Sequence, residues 1–281
     1  MIEMKFVDVN RCPVCGHDET PGMSDNLVKC LEGEIYVTYN LCLQCGLMFQ
    51  AQTLENWLEY YKHDYRANLN NGNGGVTEKQ IRIQNARAVA LVSAFDLDGY
   101  TNVLDIGSST GALLGVLRSM GVYVTGVEPG IKYRDFQRER GVPCYDTIDD
   151  ITVGSQFDLI TMIHSLEHFA DPAGMLKKVR KYAHNDTRLM IDVPNYQESQ
   201  SALGFAHPVA FDPDSLLNCC CMAGWNVQKM HGWSGNTDTI QFLMVELTPG
   251  DMCMVLPEPI DYYERKQIIV DLFNLEVSCC K

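Results

Sequence analysis

The sequence predicts an α/β protein: a doubly wound sheet, mostly parallel with an antiparallel last strand, behind a small cysteine-rich N-terminal unit. Three observations predict it. From residue 76 onward, strand-like apolar runs alternate with helix-like runs, the pattern of parallel pairing with helical crossovers. The helical runs carry their own punctuation: Gly121, Gly141 and Gly224 stop three of them, and Asp171-Pro172 and Asp212-Pro213 open two. The first 50 residues instead carry two C-x-x-C pairs and short strand-like runs.

The elements follow in order. Thr77 with Gln80 three residues on has capping-box spacing, and Ile81, Ala88, Leu91 and Val92 continue at helical intervals to about Phe95. Gly99 ends the next loop. Asn102–Ile106 reads as a strand running into a Gly/Ser turn, Ala112–Met120 as a helix, Val122–Val127 as a strand and Ile131–Arg140 as a helix. Val142–Tyr145 is a short strand. Phe157–Ile163 is almost continuously apolar, which suits burial on both faces. Pro172–Ala183 is a helix, Arg188–Val193 a strand and Pro213–Ala223 a helix. Trp225–Met230 and Thr239–Leu247 close the series as a hairpin that turns back antiparallel. Domain boundaries are expected at 1–50 (the cysteine unit), 51–98 (a linker and lid-helix region), 99–250 (the ligand-binding domain) and 251–281 (a tail, helical over Tyr262–Phe273). Asn70-Asn71-Gly72-Asn73-Gly74-Gly75 reads as a flexible connection.

Composition narrows the function. The chain has 281 residues and a formal net charge of −14, which argues against a long nucleic-acid footprint, since that rests on Lys and Arg. No run approaches the ~18 apolar residues of a membrane helix, and Met1–Asn10 lacks a signal-peptide pattern, so no membrane partner and a cytoplasmic location are expected. Of the 12 cysteines, four have metal spacing. Cys219, Cys220 and Cys221 lie on a helical run and read as buried small apolar groups. Cys30 is a spare thiol, and Cys279 and Cys280 are incidental.

Asp105-Ile106-Gly107-Ser108-Ser109-Thr110-Gly111 links the first strand of the alternating region to a helix. In open α/β sheets ligands bind at strand C-termini, and glycines let the backbone approach them closely. A dinucleotide fingerprint counted from Gly107 would need a glycine where Ser109 stands, while Ala112 at its third glycine position is tolerated, so the spacing alone does not exclude a dinucleotide. Asp105 would repel a pyrophosphate, and it suits the ammonium of an amino-acid moiety. Glu128 lies 21 residues after Gly107, where a carboxylate can accept ribose hydroxyls, so the ligand is of adenosine type. The arrangement is Rossmann-like.

Those residues, with Glu128-Pro129-Gly130 and the stretch from Phe157-Asp158 through His164-Ser165-Leu166-Glu167-His168 to Asp171-Pro172, resemble the class I methyltransferases that use S-adenosylmethionine (SAM). The resemblance covers about residues 80–247, with Ser109 where the family usually has a glycine. It implies that Gly107 and Gly111 lie near the methionine portion of SAM and Glu128 holds its ribose. It further implies Asp146 on the adenine side and His164 in the wall of the cofactor pocket.

Cys12-Pro13-Val14-Cys15-Gly16 and Cys42-Leu43-Gln44-Cys45-Gly46 are two knuckles whose four thiolates, Cys12, Cys15, Cys42 and Cys45, suit a closed structural Zn2+ site, with a hairpin over Leu27–Leu41 between them. Such a unit ahead of a SAM domain resembles the sugar C-methyltransferases and methyltransferases of saccharide gene clusters. Cys45-Gly46-Leu47-Met48-Phe49 followed by Tyr60-Tyr61 and Asp64-Tyr65 looks like that family's junction, where the tyrosines could form a lid over the cofactor. Where those enzymes usually carry a His-Glu-His stretch, this chain reads Ala206-His207-Pro208-Val209-Ala210-Phe211.

Methyl transfer to a hydroxyl or carbon acid requires loss of a proton, and histidine titrates in the right range. His207 is the first candidate for the catalytic base, then His168. An amine or thiol acceptor needs no base. The expectation is methyl transfer from SAM to a small-molecule acceptor such as a nucleotide-linked sugar, in a protein free to oligomerise. An RNA or tRNA methyltransferase and a non-catalytic, zinc-stabilised SAM-binding scaffold are the alternatives. A dinucleotide-dependent oxidoreductase trails on the turn chemistry.

Overall fold

The computed structural model describes residues 4–22, 37–66, 74–233 and 240–252. Two compact units make up the chain. One takes in Asn56–Ile163 and Lys178–Met190; the other takes in Met4–Glu55, His164–Lys177 and the residues from Ile191 onward.

The first unit is the alternating one. Its helices are α1 (Trp57–His63), α2 (Glu78–Phe95), α3 (Ala112–Ser119) and α4 (Ile131–Glu139), and its strands begin with β5 (Asn102–Ile106), β6 (Tyr123–Val127), β7 (Cys144–Tyr145) and β8 (Phe157–Ile163). β5 pairs parallel with both β6 and β8, and β6 with β7. The chain therefore starts mid-sheet, winds outward through β6 and β7, then returns to the other side of β5. In sheets of this order crossovers are as a rule right-handed, and ligands bind where the order reverses, here at the C-terminal ends of β5 and β8. Val103, Leu104, Leu159 and Ile160 are buried in this core. The capping box predicted at Thr77 and Gln80 is present and starts α2. In α1, Tyr60 is buried, and Trp57, Tyr60, Tyr61 and Tyr65 form one ring cluster.

Several boundaries shift by one to three residues; the largest difference is the strand start at Ala183. Helix α5 (Pro172–Arg180) stops before Ala183, and β9 (Ala183–Pro194) begins there, ahead of Arg188. The Tyr182 carbonyl already accepts the Phe157 N–H at 3.0 Å, and Thr187 Oγ1 donates to the Phe157 carbonyl at 2.6 Å. Pairing with the start of β8 thus outweighs helix propensity, which is worth only tenths of a kcal/mol per residue.

The second unit holds β1 (Phe6–Asp8), β2 (Tyr39–Leu41), β3 (Met48–Gln50), β4 (Gln52–Leu54), β10 (Val209–Ala210), α6 (Pro213–Met222), β11 (Trp225–Trp233) and β12 (Phe242–Pro249). β1 pairs with β4, and β3 lies between β2 and β10, all antiparallel. α6 starts on a capping box of Asp212 and Ser215 with Pro213 in its first turn. Cys219, Cys220 and Cys221 are buried in it, as expected, and burial pushes the Cys219 and Cys220 thiols up. β11 and β12 form the expected antiparallel hairpin. Among the described residues the large sheet has seven strands, in the order β11-β12-β9-β8-β5-β6-β7, with β11 and β12 antiparallel, so the α/β architecture is the predicted one. Most of the Leu27–Leu41 hairpin, Cys30, most of the Asn70–Gly75 connection, the Tyr262–Phe273 helix, Cys279 and Cys280 lie outside the described residues. No described helix is long and apolar enough to cross a membrane.

Candidate functional site

The turn after β5 is built around three left-handed residues: Gly107 (φ 78°), Ser109 (φ 51°) and Gly111 (φ 71°). The N–H groups of Gly107 and Ser108 donate to the Val127 carbonyl at 2.8 and 3.0 Å, which docks the turn on the end of β6. Glu128, buried, closes it from there. Its Oε2 accepts the Ser109 N–H and its Oε1 the Gly130 N–H, both at 2.9 Å. Below the turn, the buried Gln137 amide donates to Ser108 Oγ at 2.9 Å and to the Ser109 carbonyl at 2.8 Å. Gly111 leaves no room for more: a Cβ there would lie 2.7 Å from Gln137 Cγ.

Side chains from the helical segments complete the turn. Gln84 donates to Ser109 Oγ at 3.0 Å and accepts from Thr110 Oγ1 at 2.7 Å. Arg66 donates to Ser109 Oγ at 3.1 Å, lies 3.9 Å from Glu128 Oε2, and covers the Tyr133 ring at 4.4 Å from its centroid. Tyr133 in turn donates to Gln80 at 2.8 Å. Asp105, at the end of β5, is buried and accepts from Thr161 Oγ1 at 2.7 Å. Burial pushes its carboxyl up to about 7; the Thr161 bond opposes this and the Glu128 charge adds to it. Asp146 is tied to Lys62 at 3.0 Å and to Arg134 at 3.1 Å, and Arg134 also donates to the Glu128 carbonyl.

The second unit gathers three histidines around Glu167. His164 (φ 49°) has Nδ1 3.6 Å from Glu167 Oε1 and Nε2 3.4 Å from Asp192 Oδ2, and its ring meets the edge of Phe242. His168 Nδ1 lies 2.8 Å from the Ala206 carbonyl and His207 Nδ1 3.2 Å from the Ala202 carbonyl; the two rings are 4.8 Å apart. A carbonyl oxygen only accepts, so each Nδ1 carries the proton and each Nε2 is the acceptor nitrogen in the neutral ring. Burial alone would raise Glu167. The His164 hydrogen bond and the charges of His168, His164 and His207 outweigh it and hold the carboxyl at about 2. Burial lowers the His207 pKa, against the attraction of Glu167.

The four predicted cysteines meet in the same unit. Cys12 and Cys45 Sγ lie 3.5 Å apart and Cys15 and Cys42 Sγ 3.4 Å, with all four sulfurs within 4.8 Å of one another. Zinc bonds of about 2.3 Å in a tetrahedron put sulfurs about 3.8 Å apart, so the donor set fits. The knuckles are built alike: Gly16 and Gly46 N–H donate back to Cys12 and Cys42 carbonyls at 2.9 Å, with both glycines left-handed. Hydrogen bonds among the thiols, Cys12 first, pull Cys15 far down, while the same crowding pushes Cys45 far up. Four thiols packed this closely suit a shared cation.

The structure thus brings Asp105, Gly107, Gly111 and Glu128 together, links Asp146 to them through Arg134, and groups His164, His168 and His207 around Glu167. Sequence reasoning missed Arg66, Gln84 and Gln137, whose positions carry no local pattern. Asp192 had a signal: an acid inside the apolar run Leu189-Met190-Ile191-Asp192-Val193.

Residues 77–230 match the sequence profile of a family described as "Methyltransferase domain". No curated protein matches the chain. Among solved structures, the Mitomycin 7-O-methyltransferase is similar at 17% identity and a TM-score of 0.52, over 69% of this chain and 61% of that one. The magnesium protoporphyrin IX methyltransferase of Synechocystis PCC 6803, solved with bound SAH, is similar at 16% identity and a TM-score of 0.51, over 68% of this chain and 97% of that one. At these identities the likeness is one of fold.

Proposed function

The chain belongs to the methyltransferase-domain family, and from that premise we propose that it transfers a methyl group from SAM to a small molecule. When bound, SAM supplies an electrophilic methyl on its sulfonium. The observation that carries the reading is the Glu128 carboxylate, buried and fixed on the N–H groups of Ser109 and Gly130. Each carboxylate oxygen has two lone-pair directions, so one on each remains for a pair of adjacent ribose hydroxyls. Gly107 and Gly111 let the backbone approach the methionine portion, and Asp105 offers its ammonium a carboxylate. Asp146 serves the adenine side and His164 contacts the cofactor. A pyrophosphate would meet two carboxylates and the Ser109 side chain.

His207, with His168 beside it, activates the acceptor. The Nδ1–carbonyl bonds fix the tautomer in which Nε2 can take a proton from a hydroxyl or carbon acid. The small-molecule acceptor, such as a nucleotide-linked sugar, rests on the net charge of −14 and on the junction after Cys45. Cys12, Cys15, Cys42 and Cys45 hold a structural zinc ion. Calorimetry on the full chain tests the cofactor reading. SAM is expected to bind and NADH not; NADH binding without SAM binding overturns it.

A further inference from the structure

We infer that Glu167, His168 and His207 form a second metal site, for a divalent transition-metal cation, separate from the four-cysteine centre. One ligand atom of each lies within 4.8 Å of the other two. Two imidazoles and one carboxylate are a recurrent donor set for Zn2+, Fe2+ and their neighbours, and bonds of about 2.0–2.2 Å require only that these atoms close in modestly.

Two observations independent of that spacing point to an ion. First, both rings are already held in the ligating tautomer. His168 Nδ1–H is fixed on the Ala206 carbonyl and His207 Nδ1–H on the Ala202 carbonyl. Carbonyls in that position are the usual outer partners of metal-bound imidazoles, because they orient the ring and strengthen Nε2 as a donor. Second, Glu167 is 2% exposed, and its Oε2 is buried with no hydrogen-bond partner. Its Oε1 faces His164 Nδ1 at 3.6 Å, and His164 is itself held on its far side by Asp192 at 3.4 Å. A buried carboxylate oxygen lacking a donor is costly, and a cation removes that cost.

Three protein ligands would leave coordination positions open, where the ion would act as a Lewis acid. With the ion bound, His207 Nε2 is a ligand; the base role proposed above belongs to the metal-free chain.

The test loads the full chain with Co2+ and measures bound metal together with the visible spectrum, with no SAM and no turnover. The parent is expected to bind cobalt at a thiolate centre and one further equivalent without thiolate-to-cobalt absorption. Glu167→Gln and His207→Ala are each expected to lose that further equivalent and keep the thiolate band, which reports an intact N-terminal centre. A parent with no cobalt outside the thiolate centre overturns the proposal, as does an unchanged count in both variants. Should His207→Ala also lose the thiolate band, the milder Glu167→Gln decides.

Discussion

Ser109 is not a glycine, yet its backbone takes a left-handed conformation, at φ 51°. For an L-residue this costs on the order of 1–2 kcal/mol. The side chain offsets it by accepting from Arg66 and Gln84. Ser109→Ala keeps the strain and loses both bonds, so we expect it to lower stability by about 1–2 kcal/mol in denaturant unfolding. Ser109→Gly should stay within about 1 kcal/mol of the parent. At Gly111 the left-handed backbone and the contact with Gln137 act together, and Gly111→Ala is expected to weaken SAM binding at least tenfold by calorimetry. Asp105 gives a pH signature. Its carboxyl ionises near 3.8 when unfolded and at about 7 when folded. Between those values the folded state holds a proton the unfolded state has lost, so this group's stabilising effect falls as pH rises from about 4 to 7. Asp105→Asn removes that loss. Its melting temperature relative to the parent should climb between pH 5 and pH 8; a difference that is flat with pH would contradict the linkage.

At the level of elements, the cysteine unit reaches the histidine loop through main-chain bonds. β10, just after His207, pairs with β3, just after Cys45-Gly46. Gln50 Nε2 donates to the carbonyls of Phe205, Gly204 and His207 at 2.8, 3.2 and 3.2 Å, and the Tyr39 hydroxyl contacts the Gly204 and His207 carbonyls. Gln50→Ala is therefore expected to slow methyl transfer several-fold while leaving SAM affinity unchanged, a split that steady-state kinetics and calorimetry read together. The two knuckles, the turn after β5 and the hairpin of β11 and β12 were legible because each carries local punctuation: paired cysteines with glycine, a glycine-rich turn, an apolar pair of runs. The start of β9 was not, since it depends on pairing with Phe157, which is distant in sequence. Gln137 is 1% exposed in a polar helix, and no local pattern distinguishes a polar residue buried under a turn from one facing water. Glu167 was read only as a neighbour of His168. Its environment is set by His164, Asp192 and the His207 loop, and that convergence is tertiary.

For the whole molecule, one sheet order joins these observations. Strands leave β5 in both directions, the order that in open α/β sheets favours ligand binding at strand C-termini, and the carboxylates of Asp105 and Glu128 stand at the ends of β5 and β6. The antiparallel end of the sheet followed from its hairpin pattern, whereas the order of the middle strands needs long-range pairing that apolar runs alone do not encode. With a net charge of −14, the chain is expected to show no salt-sensitive RNA binding in a filter assay between low and physiological salt; strong binding that weakens with salt would favour a nucleic-acid acceptor. A crystal structure of the chain with S-adenosylhomocysteine tests the cofactor assignment most directly. It should show the ribose hydroxyls on Glu128 and the amino-acid portion along Asp105–Gly111. A nucleoside bound elsewhere, or a turn that stays empty at saturating ligand, would contradict it.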